Sequence, residues 1–172
     1  IDICHKVVYG LHNTMGYDYV GLLLVDKTTG ERVLCASTGL SADAPPDLRL
    51  QPGQGLSESP LLDGRAHYTP DVTQEPQYVP AFNGKSEVDV PLKAGKEILG
   101  VLVVENQQVD AFNEDDFAVL TAAANQAAVA LERAREHQAV KEAEIRYQSL
   151  YDRVPAGLYR TTPEWKFLDA NP

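Results

Sequence analysis

Two carboxylates at strand spacing are the residues best suited to chemistry. Glu87 and Asp89 occupy alternate positions in the segment 86–94, whose other face is apolar. Two carboxylates on one strand face could perform general acid–base chemistry. No partner base or nucleophile accompanies them in the sequence, so the alternative is a solvated strand face.

Histidines are too scattered to predict a metal site. His67 stands alone in a short predicted strand, in a chain with four histidines. The other three occur in predicted helices without cysteine, histidine or carboxylate partners at ligand spacing: His5, His12 and His137. A lone histidine in a strand is most often a structural or surface residue.

The two cysteines, Cys4 and Cys35, lie in unrelated segments with no paired spacing. We therefore predict reduced thiols in the core of a cytoplasmic protein. The chain begins without methionine or a basic and apolar leader, which suggests a piece of a longer protein.

Composition narrows the class of protein. The chain has 172 residues, of which 44% are hydrophobic, and this is too apolar for a disordered tail. The net charge of −10 argues against nucleic acid and anionic membranes as partners. Its longest apolar runs fall far short of the roughly 18 residues that span a bilayer. We therefore expect no membrane contact from this segment.

The elements that position these residues follow from periodicity and from the prolines. Helical spacing predicts a first helix over residues 4–15 and a short one over 55–63. Strands are predicted at 19–26, 31–37, 66–69, 86–94 and 97–106. Consecutive hairpins predict a mainly antiparallel sheet. The predicted fold class is α/β in the broad sense of mixed helices and strands, and more specifically α+β.

Two of the strands carry continuous apolar runs, YVGLLLV at 19–25 and ILGVLVV at 98–104. Such strands are buried on both faces, so the sheet needs two covers. The terminal helices supply one cover. Only the proline-rich segment 40–85 remains for the other, and a roof of irregular loops favours a pocket beneath it.

A long helix is predicted after residue 113. Asn113 is a suitable N-cap, and no glycine or proline follows before Pro155. The apolar stripe that includes Leu120, Ala124 and Leu131 predicts a parallel homodimer through this helix and the N-terminal helix. The alternative is a solvated single helix supported by charged pairs along its surface.

Residues 1–136 resemble a GAF domain. The resemblance rests on six blocks that fall in the family's order: 17–26 (YDYVGLLLVD), 53–56 (GQGL), 70–72 with 78–80 (PDV and YVP), 86–92 (SEVDVPL), 98–105 (ILGVLVVE) and 111–116 (AFNEDD). It implies a GAF-like fold, with both terminal helices on one face of the sheet and a small-molecule pocket on the other.

The C-terminal part is similar to the opening of a PAS domain. Residues 137–153 then form a signalling-helix linker, and residues 154–172 are the truncated start of the PAS domain. The resemblance implies a bacterial multi-domain sensor with an output domain such as a histidine kinase or a diguanylate cyclase. This segment would be a regulatory module without catalysis of its own. The alternative is a dimerisation or spacer module that binds no ligand.

Sequence features that mark individual GAF subfamilies argue against several of the ligands that GAF domains bind. No cysteine lies in the pocket region for a covalent bilin, and His67 alone does not predict a haem site. The Asn-Lys pair of the cyclic-nucleotide members is Asn106-Gln107 here. The enzymatic members are free-methionine-sulfoxide reductases, which need cysteines around the pocket, and no cysteine follows Cys35. We therefore predict no cofactor.

The resemblance and the roof together predict the lining of the pocket. Four residues of the roof should line it: Leu56, Tyr68, Tyr78 and Phe82. Glu87 or Asp89 should lie at its rim and orient a polar group of the ligand. Acidic side chains there would repel phosphates, so we expect a neutral or cationic small molecule.

Overall fold

The computed structural model describes residues 2–39, 47–82, 84–153 and 159–170. The chain divides into two compact units, residues 1–131 and residues 132–172. The first unit holds the sheet and the candidate site. None of the described helices is both long enough and apolar enough to cross a membrane.

The first unit is built on a six-stranded sheet. Its elements are α1 (Asp2–Met15), β1 (Tyr19–Val25), β2 (Arg32–Thr38), β3 (Arg49–Leu50), α2 (Ser59–Asp63), β4 (His67–Thr69), β5 (Ser86–Ala94), β6 (Glu97–Asn106) and the first part of α3 (Glu114–Arg153). Single 3₁₀ turns cover Leu56–Glu58 and Val72–Gln74. The strand order is β3-β2-β1-β6-β5-β4, and every pair is antiparallel. The predicted α+β class with a mainly antiparallel sheet is confirmed.

Both faces of the sheet are covered, as the continuous apolar strands predict. Along β1, Val20 and Leu22 pack on the helices, whereas Tyr19 and Leu23 face the loops. The cluster under α1 and α3 is called the helix-side core here, and the cluster under the loops is the roof-side core. The roof-side core comprises Tyr19, Leu23, Leu48, Leu50, Ala81, Val101 and Val103, with Leu34, Leu61, Val79 and Phe82 packed against it.

Helix α3 begins as its sequence predicts. Asn113 Oδ1 accepts the backbone N–H of Asp115 at 2.8 Å, and the Asp116 carboxylate accepts the N–H of Asn113 at 2.9 Å. This reciprocal arrangement satisfies backbone donors that the first turn of a helix leaves unpaired. The Tyr17 hydroxyl also donates to Asp116 at 2.8 Å and ties the start of β1 to this cap.

The stripe assigned to a dimer seam lies inside the chain's own core, so that residue assignment is wrong. Leu120 and Ala124 are 0% exposed and Leu131 is 7% exposed, and all three pack in the helix-side core. The helix needs an apolar face to cover the sheet, and this stripe provides it. Helical periodicity alone does not distinguish a face that covers a sheet from one that meets another chain.

The expectation of two reduced cysteines is also wrong. Cys4 of α1 and Cys35 of β2 form a disulfide, with Cα atoms 6.2 Å apart. The docking of α1 on the helix side of the sheet brings together two residues that are 31 positions apart in the sequence. The argument from reduced thiols to a cytoplasmic location therefore no longer applies.

The second unit contains the rest of α3 and a small hairpin. Strands β7 (Tyr159–Thr161) and β8 (Phe167–Ala170) pair antiparallel. Tyr159 is 68% exposed and Trp165 is 85% exposed, so their rings are not buried within this unit. Leu158 and residues 154–157 lie outside the described residues.

Candidate functional site

A small cavity lies on the roof side of the sheet. Its volume is about 30 Å³, which accommodates about two water molecules. The sheet contributes Tyr19, Leu23, Glu87, Val103 and Glu105, and the roof contributes Leu48, Leu50, Gly55, Leu56, Ser57, Val79 and Ala81. The walls are mainly aliphatic, with two carboxyl groups among them.

Three carboxyl groups are buried on this face: Glu87 is 4% exposed, Asp89 is 1% exposed and Glu105 is 2% exposed. Glu87 and Asp89 point to the same face of β5, and Glu87 lies directly opposite Glu105 of β6. Two like charges at opposed positions of a sheet repel each other. The interpretation of Glu87 and Asp89 as a solvated face is therefore wrong, because the roof covers them.

Tyr78 connects Glu105 to the backbone of the roof. Its hydroxyl donates to Glu105 Oε2 at 2.8 Å, and the hydroxyl oxygen lies 2.9 Å from the carbonyl oxygen of Phe82. The hydroxyl has one hydrogen, which these two acceptors share.

The electrostatic environment favours the protonated form of Glu105. Burial, together with the nearby Asp89, raises the pKa of Glu105 to about 8, although Tyr78 and the Gly84 N–H partly oppose the shift. Burial raises the pKa of Asp89 to about 6 and raises the pKa of Glu87 well above its usual range. Asp89 Oδ1 is buried without a hydrogen-bond partner. The site therefore holds protons near neutral pH.

Gly84 lets the backbone approach this carboxyl group. A Cβ atom at Gly84 would collide with the carboxylate of Glu105. The same carboxylate accepts the Gly84 backbone N–H. Glycine at this position therefore allows the roof to close over Glu105.

Arg32 joins the roof to the sheet. Its side chain is 0% exposed, and Nη1 donates to Ser57 Oγ at 2.8 Å. Nη2 donates to the carbonyl of Gln51 at 2.9 Å and to that of Gln54, and it lies 3.0 Å from Glu58 Oε2. These four partners all belong to residues 51–58, the segment that supplies Gly55 and Leu56 to the cavity. The guanidinium thus anchors one wall of the cavity.

The structure brings most of the predicted pocket residues together. Leu56 and Glu87 line the cavity, and Asp89 lies beside Glu87 on the same face. Tyr78 bonds to the cavity-lining Glu105, and Phe82 stacks on Tyr19 with ring centroids 5.4 Å apart. Tyr78 and Phe82 therefore pack next to the cavity and leave it small.

Tyr68 is the exception, and its assignment to the pocket is wrong. It pairs with Val88 across β4 and β5, so its side chain lies on the helix side of the sheet. There it contacts Phe112 and Phe117, and its hydroxyl donates to Asp110 at 2.8 Å. His67 points to the opposite face, with Nε2 3.0 Å from Asp63 Oδ2.

Sequence reasoning missed Glu105 and Arg32. Glu105 ends the apolar run of β6, and its position opposite Glu87 follows only from the strand register. Arg32 begins β2, where a long charged side chain would ordinarily reach solvent. Among the described residues, no three histidine, cysteine or acidic side chains are placed to hold a metal ion.

The buried carboxyl groups should make the protein less stable as pH rises. The pKa of Glu105 is about 8 in the folded state against 4.5 for the free side chain, so the folded state holds the extra proton between these values. We expect the free energy of unfolding to fall by on the order of 3 kcal/mol from pH 5 to pH 9, measured by urea denaturation.

The variant Glu105→Gln should reduce this slope and be more stable than the unmodified protein at pH 9. The matched control is Glu97→Gln, at the exposed start of the same strand. An equal slope in the Glu105→Gln variant would contradict the protonation of Glu105.

Comparison with known proteins identifies the family. The profile of the GAF domain family matches residues 1–131. A GAF domain-containing protein A of Dictyostelium discoideum is 30% identical over 117 residues, which cover 67% of this chain and 71% of that protein. The chain belongs to the GAF domain family.

Two solved structures show the range of proteins that share this fold. One is the GAF domain of a phosphoenolpyruvate-protein phosphotransferase from Coxiella burnetii, with 26% identity, a TM-score of 0.72 and coverage of 79% of this chain and 84% of that one. The other is a free methionine-R-sulfoxide reductase from Neisseria meningitidis in complex with its substrate. It has 25% identity, a TM-score of 0.70 and coverage of 78% of each chain.

Proposed function

We propose that this chain is a regulatory GAF module that binds a small molecule in the roof-side cavity and has no catalytic activity of its own. The observation that carries the proposal is the burial of Glu87 and Glu105 in the wall of a cavity, with Asp89 buried beside Glu87. Buried carboxyl groups without a counter-charge cost folding free energy, and acidic groups whose pKa is shifted by burial in a cleft are candidates for a functional site.

The competing interpretation is a spacer that binds no ligand, and a cavity-filling variant separates the two. Ala81 lines the cavity, so Ala81→Val should fill much of it. A metabolite library is screened for compounds that raise the melting temperature of the unmodified protein and leave that of the variant unchanged. A screen without any such compound would favour the spacer.

A sulfoxide reductase is the second candidate, because one similar structure is such an enzyme. Thiol chemistry requires a cysteine that reaches the bound substrate. Cys4 and Cys35 belong to the helix-side core, and the sheet separates that core from the cavity. This placement favours a regulatory role. Turnover of free methionine sulfoxide in the presence of a thiol reductant would overturn it.

We further propose that the chain forms a parallel homodimer that relays a signal along α3. The contacts would be made by exposed residues, because Leu120, Ala124 and Leu131 are buried in the helix-side core. Three exposed apolar residues in the part of α3 that belongs to the second unit fall on the a and d positions of one heptad frame: Val140, Tyr147 and Leu150. A bacterial sensor with a following PAS domain and an output domain is the context that such a helix would serve.

Disruption of this heptad should weaken self-association. The double variant Val140→Glu/Leu150→Glu places charges at the proposed seam, and we expect the dimer dissociation constant to rise at least about tenfold in sedimentation. The matched control is Ile145→Glu, because Ile145 is 61% exposed and lies outside the heptad frame. Equal effects of both changes, or a monomeric unmodified chain, would contradict the seam.

A further inference from the structure

We infer that the roof-side cavity takes a small primary ammonium cation of the size of methylammonium or ethylammonium, bound between Glu87 and Glu105. This inference rests on the proposed function and specifies the ligand class for the same site. The charge of the cavity, its size and its hydrogen-bond acceptors support this inference.

The charge around the cavity is one-sided. Glu87 and Glu105 line it, and Asp89 lies next to Glu87 with Oδ1 buried and unpartnered. The nearest buried cation among the described residues is Arg32, whose guanidinium is already held by the roof segment 51–58 and is not part of the cavity lining. A buried carboxyl group either stays protonated or is paired with a cation, and here an ammonium ligand would provide the cation in place of a proton.

The volume of the cavity limits the part of a ligand that it can bury to a few atoms. At about 30 Å³, it holds the equivalent of about two water molecules, which corresponds to two or three non-hydrogen atoms. An ammonium group has three N–H donors, and the carboxyl oxygens accept them. The hydrocarbon end would contact the aliphatic wall formed by Leu23, Leu50 and Val103.

The same features select against related ligands. Tetramethylammonium has no N–H donor and is larger than the cavity. Amino acids carry a carboxylate, and the cavity offers no free basic group among its described lining residues to bind it. Anionic ligands would meet Glu87 and Glu105 directly.

Binding must be coupled to proton release. The groups that face Glu105 or lie nearby are Glu87, Asp89, Tyr19, Tyr78, His67 and Arg32. When an ammonium ion enters, a protonated carboxyl group becomes a carboxylate, its proton passes to solvent, and the cation takes its place. The ligand keeps all of its own protons, so charge and atoms balance.

The experiment is calorimetric titration of the unmodified chain with methylammonium chloride, and with tetramethylammonium chloride at equal ionic strength. We expect methylammonium to bind, with an association constant that rises up to about tenfold per pH unit below the pKa of the carboxyl group. The heat of binding should differ between phosphate and Tris buffers by the amount that corresponds to about one released proton. Equal effects of both salts, or binding that does not depend on pH, would overturn the inference.

Two variants connect the binding to the carboxyl groups. Glu87→Gln should lower the affinity at pH 8 at least about tenfold, since its amide cannot carry the negative charge that pairs with the ammonium group. Glu97→Gln, on the exposed end of β6, should leave the affinity unchanged. Circular dichroism verifies that both variants are folded. Unchanged affinity in a folded Glu87→Gln variant would overturn the inference.

The library screen with Ala81→Val distinguishes a failure of this inference from a failure of the proposed function. A neutral compound that binds in the cavity, without any binding of methylammonium, overturns the ligand class and leaves the regulatory site in place. No compound of any class in the cavity overturns both.

Discussion

Replacement of Arg32 by alanine should destabilise the first unit by about 3–5 kcal/mol, the range expected when one partner of a buried ion pair is removed. The substitution would leave Glu58 with a partly buried, uncompensated charge and would remove the donors to Ser57, Gln51 and Gln54. It would also open a cavity at a fully buried position.

The measurement is urea denaturation of the variant at pH 7, and Arg49→Ala is its control. Arg49 also pairs with a carboxylate, Glu31, at 3.3 Å, but its side chain is 52% exposed. An exposed pair of this kind contributes about 0–1 kcal/mol, so the control should be nearly as stable as the unmodified protein. Similar losses in both variants would show that Arg32 does not anchor the roof.

Arg32→Met separates charge from packing. Methionine fills much of the volume and carries no charge, but it leaves Glu58 and the backbone carbonyls without donors. We expect it to recover about 1–2 kcal/mol of the loss in the alanine variant, because it fills part of the cavity. The remaining loss measures the hydrogen bonds that connect the sheet to residues 51–58.

The fold could be predicted because its strongest signals are local. The runs YVGLLLV and ILGVLVV in β1 and β6 have the composition of strands buried on both faces, and the structure covers both faces. The cap at Asn113 is likewise a local pattern of three residues. Neither signal depends on which elements become neighbours.

The site was predicted only in part, because it depends on register and on closure of the roof. Tyr68 and His67 are adjacent in β4, and the pairing of Tyr68 with Val88 decides which of the two faces the roof. The burial of Glu87 and Asp89 requires a cover that is distant in the sequence. Composition indicated a roof over the sheet, whereas it could not indicate that Arg32 would hold it there.

The disulfide shows the same limit on the other side of the sheet. Cys4 lies in a helix and Cys35 in a strand, and nothing in their spacing predicts a pair. They meet because the apolar face of α1 packs on β2. Its consequence for stability is large enough to measure directly.

Reduction of the Cys4–Cys35 disulfide should lower the free energy of unfolding by about 3.5 kcal/mol, the chain-entropy value for a closed loop of this length. The bond joins positions separated by 31 residues, so the reduced unfolded chain gains the freedom that the loop restricts. For a protein of this size, the melting temperature should fall by on the order of 10 °C. The measurement is thermal unfolding with and without a thiol reductant. Thiol titration of the reduced sample first verifies that both cysteines are free.

The control is the double variant Cys4→Ala/Cys35→Ala, whose melting temperature should not respond to reductant. Alanine fits at both positions without a new polar group, although Cys4 is fully buried and its loss leaves a small cavity. The variant should therefore melt at or slightly below the temperature of the reduced unmodified protein. An unmodified protein with two titratable thiols and an unchanged melting temperature would show that helix α1 is held to β2 by packing alone.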